Sequence, residues 1–248
     1  MPEGKSFRYL WGKIMNEKIN AFLSLIKSEE VKKKLGIGEK LKKLDKSNDK
    51  RLMGVILLSI VSMTLLGFFA LGKAGALIFF AITVIASFWL YYSSKKNMLL
   101  KYLSFYRREI PSIIAMAEGC EVKAENVPEN SLVTSLSDGK PVFRMCHKYG
   151  DLYVGFLKFM KGDVSKLQGF VCYTEGSGDT SDFEENYKEE YPDLTIKTDG
   201  TNSLLFIPGC DDYLGGRIEM KDDLSEDFLT RQYKYYLMAD AYKKAVKG

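Results

Sequence analysis

The chain has 248 residues, of which 46% are hydrophobic and 27% charged, a mix that excludes collagen-like, low-complexity and wholly disordered proteins. Its 36 basic and 32 acidic side chains nearly cancel, but the signs are segregated: residues 1–110 carry 20 basic and 8 acidic groups, residues 111–248 carry 16 and 24. The mean hydropathy of -0.14 conceals a second asymmetry, because the 41 residues 52–92 hold a single charge, Lys73.

The first segment is a basic amphipathic arm, residues 1–51. Phe7, Leu10, Trp11, Ile14, Met15, Ile19, Phe22, Leu23 and Ile26 recur at steps of three and four, with Arg8, Lys13, Lys18 and Lys27 on other faces. Such a helix either lies in the headgroup layer of a membrane or packs its apolar stripe on the C-terminal domain or a second copy. Residues 31–51 are rich in lysine and form a juxtamembrane tether, where each lysine gains about 1 kcal/mol near an anionic leaflet.

Residues 52–71 and 76–92 are uncharged, and twenty residues at 1.5 Å each span roughly the 30 Å of bilayer hydrocarbon. Gly72-Lys73-Ala74-Gly75 between them suits a tight turn, so the expectation is a transmembrane hairpin of two antiparallel helices. Lysines and arginines crowd both flanks (Lys32, Lys33, Lys34, Lys40, Lys42, Lys43, Lys46, Lys50 and Arg51 before; Lys95, Lys96, Lys101, Arg107 and Arg108 after). The positive-inside rule then places both termini in the cytoplasm, with Trp89, Tyr91 and Tyr92 at the headgroup level. The spans lack Asp, Glu, His, Lys and Arg, the residues that mark proton and ion paths, so they read as an anchor.

Leu99, Leu103, Tyr106, Ile110, Ile113 and Ala117 continue a helical stripe through a stalk, residues 93–119; Pro111 is expected to kink or restart it and Gly119 to cap it. Residues 120–248 form an acidic domain of α+β class with a mainly antiparallel sheet. Strands are expected over 142–146, 152–160 and 167–173, with turns at Gly150 and at 162–163. Asp199-Gly200 predicts a type I′ hairpin between 194–198 and 201–207. Ser181 and Glu184 match a capping box opening a short helix with Phe183, Tyr187 and Tyr191 on one face and Pro192 at its end. Ser225 is a candidate cap for a final helix ending in Lys243, Lys244 and Lys247.

Chemistry-bearing residues are sparse. His147 adjoins Cys146, but neighbours on a strand point to opposite faces, so they make a poor nucleophile–base pair; Cys172 or Cys210 are the other thiols His147 could meet. The cysteines at 120, 146, 172 and 210 show no C-x-x-C spacing, and a cytoplasmic domain keeps them reduced. Asp211-Asp212 and Asp222-Asp223 read as solvated acidic loops, and no phosphate-loop or hydrolase motif occurs. No catalytic, cofactor-binding or metal-ligating set is therefore assigned. The expected function is to anchor the acidic domain at the cytoplasmic face of the cell membrane for protein–protein interaction or assembly. The expected partners are the bilayer with its anionic headgroups, and a protein or a second copy; no nucleic-acid motif stands among the basic residues. The exposed candidates are the aromatic-acidic helix 182–191 and the tyrosines 233, 235, 236 and 242, the tyrosines having core as their alternative reading and Tyr242 also standing with Phe228, Leu229 and Leu237 on the final helix's buried side. The alternative is a membrane-tethered enzyme using His147, a thiol such as Cys146, or carboxylates such as Asp211 and Asp212.

Overall fold

The computed structural model describes residues 3–137, 139–159, 168–210 and 226–248, with the backbone alone at 3–11, 38–39, 42, 99, 102–103, 106–107 and 144. The side chains of Phe7, Arg8, Leu10, Trp11, Lys42, Leu99, Leu103, Tyr106 and Arg107 lie outside the described residues, as do the 162–163 turn, Asp211, Asp212, Asp222, Asp223 and Ser225. The chain forms two compact units, one of Met1–Lys32 with Tyr106–Gly248 and one of Lys33–Phe105.

The first unit is α+β. Its sheet has the order β1-β2-β3-β4-β6-β5 and every pairing is antiparallel: β1 (Val122–Ala124), β2 (Pro141–Tyr149), β3 (Leu152–Phe159), β4 (Gln168–Glu175), β5 (Thr195–Thr198) and β6 (Asn202–Pro208). Strand side chains alternate, so the sheet has two buried faces. On one face Tyr153, Leu157, Val171, Tyr173, Leu204 and Phe206 pack with Leu132 and Val133 of the single-turn α3 (Ser131–Thr134). On the other lie Leu152, Val154, Phe156, Phe170, Cys172 and Leu205, covered by the final helix α5 (Glu226–Lys247). Tyr149 meets Tyr236 edge-on at 4.8 Å and Phe170 meets Tyr235 at 5.1 Å.

The N-terminal helix α1 (Glu3–Ile26) packs on α5, so the protein-packing option for the amphipathic arm is the one realised within this unit. Phe22, 1% exposed, stacks on Tyr233 with ring centroids 4.1 Å apart. Lys18 Nζ lies 2.7 Å from Glu118 Oε2, and the Tyr233 hydroxyl donates to the other oxygen of the same carboxylate. Three helices are thereby tied at one point, since Glu118 is the last residue of α2 (Glu29–Glu118).

Helix α2 passes through Pro111 without a break in its helical dihedrals, so no fresh helix starts there. The ring removes one backbone donor, but Ile110, Ile113 and Ile114 on either side are buried, and that packing offsets the lost bond. Gly119 ends the helix as expected: its φ of 62° is left-handed and its N–H reaches the Ala115 carbonyl. The capping box at Ser181 does not form. Helix α4 (Ser181–Tyr187) starts one residue earlier than a Ser181 cap requires, and Asp179 Oδ1 accepts from the Ser181 N–H at 2.9 Å instead. The Asp199-Gly200 turn is also wider than type I′: Thr198 pairs with Ser203, leaving four loop residues. Asp199 Oδ1 closes that loop by accepting from the N–H groups of Thr201 and Asn202.

In the second unit, Lys43–Met98 is one helical stretch long and apolar enough to cross a membrane. Gly72 alone leaves helical dihedrals, with φ 67° and ψ -153°. Gly67 and Gly75 are in such close approach that a Cβ on Gly67 would lie 2.5 Å from the Gly75 carbonyl oxygen. Lys95 Nζ stands 2.9 Å from Asp45 Oδ2 and 2.5 Å from Asp49 Oδ2. The hydroxyls of Thr64 and Thr83 donate to the carbonyls of Ile60 and Phe79, each at 2.7 Å, so neither presents an unmet donor.

Candidate functional surfaces

Among the described residues of the enzymatic alternative, His147 and Cys146 are set apart. Arg144 pairs with Phe156 and His147 with Val154, so Met145 and Cys146 together face Gly155 in a β-bulge, where Met145 has φ 52°. Cys146 belongs to the α3-side core, while His147 shares the register row of Val154 and Cys172 on the α5 side. The two neighbours therefore point to opposite faces, as strand geometry implies. His147 and Cys172 share a face, but β3 lies between their strands, about 10 Å backbone to backbone. Both thiols are buried, and burial pushes the Cys172 thiol well above its ordinary range, the reverse of what an attacking thiolate needs. Among the described residues no group of three His, Cys, Asp or Glu side chains is placed to hold a metal ion.

The tyrosines proposed as exposed contacts are core. Tyr233, Tyr235, Tyr236 and Tyr242 are all buried, because α5 lies between the sheet on one side and α1 on another and so has little outward face. Helix α4 is divided instead. Phe183 and Tyr187 are buried, Phe183 edge-on to Tyr242 at 5.4 Å, while Asp182 on the helix and Glu189 and Glu190 in the turn past its end face solvent. Beside α4 and α5 runs a hollow of about 360 Å³ whose lining includes Tyr187, Glu190, Tyr191, Arg231 and Lys234.

At the far end of α5, Asp151 in the β2–β3 turn is paired with both Lys243 and Lys247. Partial burial opposes its charge, but the two ammonium groups outweigh it and hold the carboxyl down at about 2, against an ordinary 3.8. A lowered carboxyl stabilises the fold above pH 3.8 and loses that contribution as pH falls towards 2. The Asp151→Asn variant should be less stable than the parent by about 1 kcal/mol at pH 6, a figure discounted for the solvent exposure of the pair. The difference should be mostly lost at pH 2, where the folded protein's carboxyl is about half protonated; thermal melts at the two pH values check it.

Within residues 52–92 of the second unit most of the large apolar side chains point outward. Phe69 is 82% exposed, Phe88 76% and Leu58 72%, with Val55, Leu66, Leu77, Ile82 and Ile85 also open. The buried positions of residues 52–92 are small or polar: Gly67, Gly75, Thr83 and Ser87. The segment is thus inside-out relative to a water-soluble fold. Burial works against the Lys95 charge, yet the hydrogen bonds it donates to Asp49 and Asp45 prevail and raise its proton affinity. This triad escaped the sequence reading. Its signal was there, since Asp45 and Asp49 are two acids spaced i,i+4 in an arm otherwise dominated by lysine.

No protein-family model matches the chain, and neither curated proteins nor solved structures yield a match to it.

Proposed function

We propose that this chain is an integral membrane protein whose residues 52–92 cross the bilayer twice, leaving both termini on the cation-rich cytoplasmic side. There it holds the acidic α+β domain for protein–protein interaction or assembly. The carrying observation is the outward-facing apolar surface of residues 53–92, which water would penalise at roughly 25 cal/mol per Å² and hydrocarbon would not.

Two further observations support an even number of crossings. Residues 45 and 95 on an unbroken helix would stand roughly 75 Å apart, so an ion pair between them requires the chain to double back, and Gly72 is where the dihedrals permit it. Helix α1 precedes the apolar segment and α5 follows it, yet Phe22 stacks on Tyr233. A single crossing would leave those two rings on opposite sides of the bilayer.

A thiol at the turn tests this. In intact cells the Lys73→Cys variant should react with a membrane-impermeant maleimide. The parent, whose four cysteines lie in the domain, should react only after permeabilisation. Release of the parent chain by carbonate washing, or protection of the thiol at position 73 in intact cells, would sink the two-pass reading.

A further inference from the structure

Helix α2 keeps helical dihedrals up to Gly72, so residues 33–51 prolong the axis of the apolar stretch. At 1.5 Å per residue, Lys46, Lys50 and Arg51 lie within about 8 Å of its polar end, one Debye length at physiological salt. Lys43, Lys40 and Lys33 stand roughly 12 to 27 Å out, where the potential of an anionic leaflet has largely decayed. All six are exposed. At 100° per residue they fall in one sector of about 140°, opposite the side on which Leu41, Asp45, Asp49 and Leu52 are partly buried. Residues 33–51 hold eight basic and three acidic side chains, and two of the acids, Asp45 and Asp49, are paired with Lys95 on the opposite side, so the segment stays net basic.

The chain also carries the complement. Residues 175–199 contain nine acidic and two basic side chains, with Asp182, Glu189, Glu190 and Asp193 exposed around α4. We propose that the membrane-distal stripe Lys33, Lys40 and Lys43 of one copy docks the α4 acidic surface of a second copy. The inference rests on the two-pass anchor above and names its partner. Copies held in one membrane at one height meet at high effective concentration, which suits a contact made of solvent-exposed charges. The two surfaces differ, so the contact is heterologous and each copy can both give and receive, building rings or rows.

The test uses the full chain, half of it ¹⁵N-labelled, in phosphatidylcholine vesicles at low salt, with a zero-length carbodiimide cross-linker and mass spectrometry. Mixed-isotope cross-links should join Lys33, Lys40 or Lys43 to Asp182, Glu189, Glu190 or Asp193. They should fall at least tenfold when Lys33, Lys40 and Lys43 are all changed to Glu. They should return when that variant is mixed with copies carrying Asp182→Lys, Glu189→Lys and Glu190→Lys. Single-isotope cross-links alone would overturn the proposal in favour of the chain's own domain. So would charge reversal that leaves mixed-isotope cross-links intact, or that changes only binding to phosphatidylserine vesicles. Chain that stays with carbonate-washed membranes yet gives no mixed cross-links defeats this proposal alone; chain that washes off defeats the anchor as well.

Discussion

Replacing Phe22 by alanine should cost about 3–5 kcal/mol of stability and release α1 from α5. The ring is fully buried and stacked on Tyr233, so its loss removes both the transferred apolar area and a stacking contact, and leaves a cavity that two rigid helices cannot close. Lys18 sits one helical turn away and holds Glu118, which also accepts from the Tyr233 hydroxyl. Tyr233 should therefore lose packing on one side while its hydroxyl contact stays. Hydrogen exchange on the full chain in detergent should show protection lost along α1 and retained in β3 and β4. If α1 amides stay protected while the midpoint of denaturation drops, α1 is held chiefly by its ion pairs and the packing argument fails.

The Gly169→Ala variant should be destabilised by about 3 kcal/mol or more, a magnitude reserved for overpacking in a core. Gly169 pairs with Pro208 on β6, and a Cβ there would run into the carbonyl oxygen of Ile207, which is backbone and cannot swing aside. Gly12 offers the contrast. A Cβ added there meets nothing within 4 Å, so Gly12→Ala should leave stability unchanged or raise it by up to about 1 kcal/mol through helix propensity. Urea titrations of the two variants beside the parent decide it. Equal midpoints would show that β4 and β6 can separate locally at little cost.

The polar interactions that tie the helices together are mostly partly exposed, so their removal should count for less than these packing changes. Lys95 with Asp45 and Asp49, and Asp151 with Lys243 and Lys247, set which segments lie side by side more than how strongly they hold. The stacked and interdigitated aromatics of α1, α4 and α5 carry more of the energy.

From residues alone one could read whatever depends on short spans of chain. The apolar run 52–92, the segregation of charge, the β2–β3 turn at Gly150, the cap at Gly119 and the antiparallel α+β class all follow from local period and turn chemistry. Strand β1 and helix α3 escaped because three or four residues show no period. Tertiary packing settled the remainder. Counting by twos from Phe143 would put Tyr149 on the α3 side, but the extra residue at the Met145 bulge turns it to meet Tyr236. Tyr233, Tyr235, Tyr236 and Tyr242 look like contact residues until α1 and the sheet cover them from two sides, since a helix's own sequence does not record how many of its faces are occupied. Whether residues 33–51 continue the apolar helix or turn away from it was likewise undecided by composition. It turns on the helical dihedrals that α2 keeps up to Gly72, a property of many consecutive residues that no single lysine encodes.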